Sequence, residues 1–336
     1  MGVTKGGTAD IGAQLLTFVA AQLPDAADIE LIGLHRSSAG LSRENWIFDA
    51  TWTDNGTTVH EPLILRRDPE GSVLLTERRV EIAVLRALEA SGVPAPRAVW
   101  FDEHGYALGR PSVIMRREAG ECEYFCLTND VRSLEVRTSL AHEFIDTLAA
   151  IATVDWRALG LAGVLDDPGE RGAGAALDHW EGELRRVQRE PLPEMEIVLS
   201  WLRASVPTAQ ASVLVHGDFK PGNALVRGDH LGVVLDWETA HLGDPLEDLG
   251  WITNPVRSRE HQIPGSWERA QIVDRWSART GFAVDDAELR WWNVFANYKL
   301  MVIGFTGVAE FIDVHMDRPY NAPLSLCRIT YDLMGT

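Results

Sequence analysis

Cysteine is scarce in this sequence, with three in 336 residues. Cys122 and Cys126 have three residues between them and Cys327 lies alone near the C-terminus, which is neither a disulfide framework nor two zinc-binding pairs. Ordinary packing is the expected role for all three. Apolar runs are short: none approaches the roughly 20 residues that a bilayer-crossing helix needs, so no membrane partner is expected. The opening MGVTKGGTAD lacks the basic start and continuous apolar stretch of a secretory signal, and a cytoplasmic protein is expected. Basic residues are also in deficit, 31 Lys and Arg against 49 Asp and Glu, for a formal charge of −18. Such a surface repels phosphate backbones, so no nucleic acid partner is expected. What remains abundant is hydrophobic, 46% of the chain, enough to fill one large domain or two lobes.

Ile11, Leu15, Leu16, Val19 and Leu23 recur at helical spacing and predict an amphipathic opening helix. From about 29 to 66 the texture becomes strand-like. Trp46, Phe48, Ala50 and Trp52 alternate with Asp49, Thr51 and Thr53; Asp54-Asn55-Gly56 marks a turn; Leu63-Ile64-Leu65-Arg66 reads as the next strand. Residues 76–90 return to helix, stopped by Gly92 and Pro94, and strands resume near Ala98–Phe101 and Pro111–Met115. The remainder reads as helical near 133–153, 174–190, 193–204 and 268–312, interrupted by a strand-like segment over 212–237. This is an α+β pattern: a small antiparallel-sheet lobe with one main helix over residues 1–116, and a larger, mostly helical lobe over 117–336.

Chemistry concentrates in Val213-Leu-Val-His-Gly-Asp-Phe-Lys-Pro-Gly-Asn-Ala-Leu-Val226 and Leu231-Gly-Val-Val-Leu-Asp-Trp-Glu238. Gly217, Pro221 and Gly222 force a tight polar loop, and a turn near Gly228-Asp229 predicts a hairpin. Antiparallel pairing then sets Asn223 opposite Leu235 or Asp236, so the oxygens of Asp218, Asn223 and Asp236 converge. Such oxygens suit a hard cation, Mg²⁺, while a carboxylate outside the metal shell can orient an acceptor hydroxyl. That is the division of labour in kinase-type phosphoryl transfer. Upstream, Glu81 shares a helix face with Val84, Leu85 and Leu88. A charge there needs a partner; Arg66, ending the preceding strand, is the candidate. Asp244-Pro245-Leu246-Glu247 has the form of a helix start, Asp as cap and Pro first, with Asp248 in the first turn. His35–Ser42, small and set between strands, is the phosphate-loop candidate through Ser37, Ser38 and Gly40. The sequence has no G-x-x-x-x-G-K-[ST], which excludes the P-loop route.

H-G-D-F-K-P-G-N, followed thirteen residues after its Asn by D-W-E, resembles the catalytic and metal-binding motifs of the aminoglycoside phosphotransferase/choline kinase superfamily. Leu65-Arg66-Arg67, Glu81–Leu88, Gly92–Pro96, Val154-Asp-Trp156 and Gly243–Leu249 resemble that family in the same order, over about residues 30–310. The texture is most similar to the branch associated with acyl-CoA dehydrogenase-like proteins. The resemblance implies a bilobal protein-kinase-like fold, ATP and Mg²⁺ as cofactors held between the lobes, and transfer of the γ-phosphate to a hydroxyl of a small-molecule substrate. It implies Asp218 as catalytic base, Asn223 and Asp236 as metal ligands, His216 as a brace for the loop, and Asp248 as a structural acid stabilising that loop. Lys220 is either a cation near the γ-phosphate or a solvated loop lysine; Glu238 touches substrate or a second metal, or is structural. Arg66, paired with Glu81, fills a slot that usually holds lysine, with Arg67 as the alternative register. Val113–Arg117 matches the hinge, so that backbone at Met115 and Arg117 would meet adenine. The acceptor expected is a hydroxyacyl-CoA or another hydroxylated metabolite. An aminoglycoside, drawing on acids such as Glu310, Asp313 and Asp317, is the second reading, and a non-catalytic ATP-binding pseudokinase the third.

Overall fold

The computed structural model describes residues 7–37, 44–67, 78–314 and 326–335. By its contacts the chain divides into two units, Met1–Arg86 with Pro96–Glu118, and Ala87–Ala95 with Ala119–Thr336. Residues 87–95 thus count with the second unit, where the Pro94 carbonyl accepts the Val234 N–H at 2.7 Å.

Alternation builds the first unit. Along β2 (Glu44–Asp54) every second side chain is buried, and Trp46, Phe48, Ala50 and Trp52 join Leu63 and Leu65 of β3 (Thr57–Arg67) in one apolar cluster. Helix α1 (Gly7–Gln22) closes that cluster with Ile11, Leu15, Phe18 and Val19. Asn55 and Gly56, both left-handed (φ 48° and 78°), make the tight β2–β3 turn that strand twist favours. With β1 (Ala27–Arg36), β4 (Ala98–Asp102) and β5 (Ser112–Arg116), the sheet runs β1-β2-β3-β5-β4, antiparallel throughout. Because side chains alternate, Arg66 leaves the opposite face from Leu65 and meets Glu81 of α2 (Arg78–Leu88).

The second unit is helical around two small sheets. Its helices are α3 (Leu134–Thr153), α4 (Gly172–Val187), α5 (Pro193–Ala204), α6 (Leu246–Ile252), α7 (Ser258–His261), α8 (Arg269–Thr280), α9 (Asp286–Val314) and α10 (Leu326–Met334). Strand β6 (Val213–Val215) pairs with β9 (His241–Gly243), and β7 (Ala224–Arg227) with β8 (His230–Val234), both antiparallel. The helical run expected over 268–312 is two helices. Gly281, at φ 78°, ends α8 in the left-handed conformation that glycine adopts without penalty. Helix α9 is the central element, apolar on every side: Leu289, Trp291, Trp292, Phe295, Tyr298, Met301 and Val302 are all buried.

Helix α6 lies hard against α9. Its seven residues are all buried, and Asn293 donates to the Gly250 carbonyl at 2.7 Å while Asn254 donates to Asn297 at 2.9 Å. A Cβ at Gly250 would fall 2.3 Å from the Trp292 Cβ and 3.0 Å from its carbonyl carbon, so no side chain can swing away to make room. Gly250→Ala is therefore expected to destabilise by about 1–3 kcal/mol, the usual cost of overpacking. The denaturant midpoint should fall with an unchanged slope; an unchanged midpoint would refute the close packing.

Candidate active site

The loop after β6 is fixed by backbone bonds before any ligand is considered. Asp248 of α6 accepts the His216 N–H at 2.7 Å and the Gly217 N–H at 2.9 Å. Gly217 has φ 83°, and a Cβ there would lie 2.8 Å from the Thr239 hydroxyl. His216 is fully buried. Its Nδ1 accepts the Asp218 N–H at 3.2 Å, which places the ring proton on Nε2, donated to the Leu235 carbonyl at 2.9 Å. The ring packs 4.7 Å from that of Trp237. His216 and Asp248 are thus both committed to holding the loop.

Asp218, half-buried, is what this frame presents. Its Oδ2 accepts from Lys220 Nζ at 2.5 Å and from Asn223 Nδ2 at 2.9 Å. Asn223 also donates to the Asp218 carbonyl at 3.0 Å, so both bonds use its amide nitrogen and leave its oxygen as a hard donor. The expected hairpin register is found: Ala224 pairs with Val234, and the Leu235 N–H reaches the Asn223 carbonyl at 2.7 Å. Asp236 follows directly, in the left-handed region at φ 60°, ψ 57°, a conformation that costs a non-glycine residue about 1–3 kcal/mol and is kept where surroundings demand it. Glu238, half-buried, belongs to the single turn Trp237–Thr239 that follows. Among the described residues no three His, Cys, Asp or Glu side chains form a metal cage. An amide oxygen and a carboxylate fit instead the sparse protein shell of a cation that keeps water and phosphate ligands. Tyr124 covers the loop: its ring would stand 2.4 Å from a Cβ at Gly222.

Two contributors were invisible to motif reading. Lys299 of α9, 3% exposed, donates to the Gly217 carbonyl at 2.6 Å. It lies 5.2 Å and 5.0 Å from the rings of Trp180 and Trp251, and 3.8 Å from Glu247. A lone lysine inside the apolar run of α9 was the available signal, since a buried charge requires a partner. Arg257, whose Nη2 stands 3.9 Å from Asp218 Oδ1, carried no such signal.

In the first unit, Arg66 and Glu81 form a buried ion pair at 3.4 Å, with side chains 9% and 1% exposed. Arg67 turns instead to Glu44 at 2.9 Å and to the Leu108 carbonyl at 3.2 Å. Met115 is an interior residue of β5, paired with Ile64 and Ala98. The Arg117 N–H is donated to the Pro62 carbonyl at 2.8 Å and its guanidinium to Asp49 at 2.7 Å. Ser37 lies at the end of β1, its N–H donated to the Asn45 carbonyl at 2.8 Å. Ser38 and Gly40 lie outside the described residues, as do the acidic side chains of Glu310, Asp313 and Asp317. Cys126 and Cys327 are buried, Cys122 is exposed, and none of the three is in a disulfide.

The sequence profile of the phosphotransferase enzyme family matches residues 38–292. The chain belongs to that family. It is 29% identical over 197 residues to mouse acyl-CoA dehydrogenase family member 10, covering 56% of this chain and 18% of that protein. The match to rat acyl-CoA dehydrogenase family member 11 is 27% over 266 residues, 74% of this chain and 33% of the other. The chain therefore spans a third or less of the length of these two relatives. Among solved structures, a Ralstonia eutropha protein provisionally classed as an aminoglycoside phosphotransferase aligns with TM-score 0.70 at 19% identity, over 96% of this chain and 95% of that one. The streptomycin–ATP–APH(2″)-IIa ternary complex aligns with TM-score 0.56 at 15% identity, over 91% of each chain. The fold is that of these phosphotransferases. Among the described residues no helix is long and apolar enough to cross a membrane.

Beside the loop, burial pushes the Asp244 carboxyl up to about 7, helped by Glu247 and Glu288 and opposed by the Leu246 N–H that it accepts. The folded protein then holds a proton on Asp244 that the unfolded chain releases above its ordinary value of 3.8. This contribution to stability is complete below that value and is lost as pH rises through about 7. Relative to Asp244→Asn, the wild-type protein should lose up to about 1.4 kcal/mol per pH unit across that window. Denaturant melts of both proteins at several pH values give the slope, and a pH-independent difference would exclude it.

Proposed function

We propose that this protein transfers the γ-phosphate of ATP to a hydroxyl of a small molecule. The observation that carries the reading is the asymmetry of Asp218: one carboxylate oxygen gathers Lys220 and Asn223, and the other, 3.9 Å from Arg257, accepts no hydrogen bond from the described residues. That second oxygen would orient the acceptor hydroxyl and take its proton. Asn223 and Asp236 would hold Mg²⁺, which neutralises charge on the phosphate oxygens when bound. Lys220 adds a cation on the phosphate side, and Arg66, positioned by Glu81, would meet the α- and β-phosphates. His216, Asp248 and Lys299 keep the Asp218 peptide in place. Support for ATP comes from the family and from the ATP-containing complex that shares the fold.

The acceptor class favoured is a hydroxylated acyl metabolite such as a hydroxyacyl-CoA, supported by the relatives named for acyl-CoA dehydrogenases. An amino-sugar acceptor is the alternative, supported by the structural neighbours. ADP release measured against hydroxyacyl-CoAs, aminoglycosides, amino alcohols and sugars separates the two, and no release with any of them would favour an ATP-binding scaffold.

Asp218→Asn is expected to lower turnover by about a hundredfold or more while leaving Mg·ATP affinity nearly unchanged. Asp236→Gly should weaken Mg·ATP binding without lowering the melting temperature, because glycine relieves the left-handed backbone. Equal losses of nucleotide affinity in both variants would contradict the separate roles.

Arg66→Ala and Glu81→Ala should each impair ATP use, and the double variant should lose less than their sum, by roughly 0.5–3 kcal/mol of coupling. Arg66→Lys should retain substantial activity. Strict additivity, or a larger loss from Arg67→Ala, would move the role away from this pair.

A further inference from the structure

The oxygen of Asp218 that accepts no hydrogen bond is not without company. Arg257 Nη2 faces it at 3.9 Å, too long for a hydrogen bond and close enough for strong attraction. Arg257 is only 7% exposed. Its guanidinium carbon sits 3.9 Å over the Trp251 ring, and Nη1 donates to Glu260 at 2.8 Å. Among the described residues its buried Nε has no hydrogen-bond partner, and Nη2, at 3.9 Å from Asp218, is outside hydrogen-bond distance of it. Glu260 and Asp218 are the carboxylates that face the charge of Arg257, and its neighbour His261 stays neutral. That imidazole is driven down to about 3, first by burial and then by Arg257 and Lys220.

A fixed, desolvated guanidinium with unused N–H groups recognises carboxylate or phosphate oxygens better than any neutral group. Its position says which ligand supplies them. The Oδ2 side of Asp218 is occupied by Asn223 and Lys220, the residues assigned above to metal and phosphate, so the acceptor must come to Oδ1, where Arg257 stands. We propose that Arg257 is a specificity-determining residue that binds an anionic group, carboxylate or phosphate, carried by the acceptor close to its reacting hydroxyl. The inference rests on the kinase reading, because it takes Oδ1 as the oxygen that meets the hydroxyl. It also counts against amino sugars, whose ammonium groups would meet Arg257 and Lys220.

The test uses the full chain with Mg·ATP and matched acceptors: 3-hydroxybutyrate and glycerol 3-phosphate as the two anionic arms, 1,3-butanediol and glycerol as neutral counterparts, and 3-aminopropanol as the cation. ADP release gives kcat and KM, and calorimetry gives binding of each compound independently of turnover. At least one anionic arm should exceed its neutral counterpart by about tenfold or more in kcat/KM or affinity, the discrimination expected of a site built to pair with the missing group; which arm wins identifies the group. Arg257→Met should erase that preference, bringing the ratio of anionic to neutral acceptor in kcat/KM and in calorimetric affinity to about one. Should Arg257→Met not fold, Arg257→Lys decides, since it keeps the charge and loses the fork: a reduced preference is expected. A wild-type protein indifferent to both anions, or a preference untouched in the folded variants, overturns the proposal. Arg257-dependent anion binding with no ADP release from any hydroxyl compound would sink the kinase reading alone. ADP release without anion preference would sink this inference alone.

Discussion

Gly217 is held from both sides. Its N–H is taken by Asp248 of α6 at 2.9 Å and its carbonyl by Lys299 of α9 at 2.6 Å. The first bond fixes the peptide before Gly217 and the second the peptide that leads into Asp218, and the remaining pieces follow from them. With the peptide fixed, the Asp218 N–H falls on His216, the carboxylate falls between Lys220 and Asn223, and the Asn223 strand meets Leu235 one residue before Asp236. A reaction that depends on positioned groups gains most when their orientation is settled during folding rather than during turnover.

The clamp brings ionised groups into the interior, and they are stable there only as a set. Glu247 faces Lys299 at 3.8 Å and His241 at 3.1 Å. Burial opposes charge on both His241 and Glu247. Their attraction prevails, raising the imidazole and lowering the carboxyl. The histidine's contribution is therefore complete below its ordinary 6.5 and fades at higher pH, and the glutamate's is complete above its ordinary 4.5 and fades at lower pH. Between those values both are fully in force. Removing one member of such a set leaves the other stranded, at a typical cost of about 3–5 kcal/mol. Trp180 and Trp251 keep the lysine dry while offering their ring faces to its charge.

Much of this was legible wherever a short period or a rigid residue governs the chain. The alternation of Trp46, Phe48, Ala50 and Trp52 located β2 and its buried face. The turn at Gly228 located the β7–β8 hairpin and limited its register to Asn223 opposite Leu235 or Asp236. Spacing along α2 was enough to demand a partner for Glu81, and Arg66 is the residue that meets it. The Asp244-Pro245 start of α6 brought Asp248 into view. What escaped had no local pattern. Lys299 meets Gly217 across 82 residues, and Arg257 ends the single 3-10 turn Pro255–Arg257 between α6 and α7. Strand β9 is three residues long and exists because Val215 pairs with His241. The left-handed turn at Asp236 occurs at a residue type that rarely adopts it, where a glycine would have announced itself. The break between α8 and α9 falls at Gly281, whose left-handed φ of 78° ends α8.

The packing of α6 against α9 has a consequence for how this protein fails. Glycine at position 250 lets the two helices touch backbone to side chain, and the asparagine bonds between them close the contact to water. The loop bearing Asp218 is bonded to both helices, so it cannot loosen by fraying at an edge. Freeing it means drawing one helix off the other and exposing the tryptophans between them, which is most of the work of melting this unit. The lifetime of the geometry around Asp218 is then the lifetime of this unit's fold, and heat should dissolve the loop and the helices in a single cooperative step rather than one before the other.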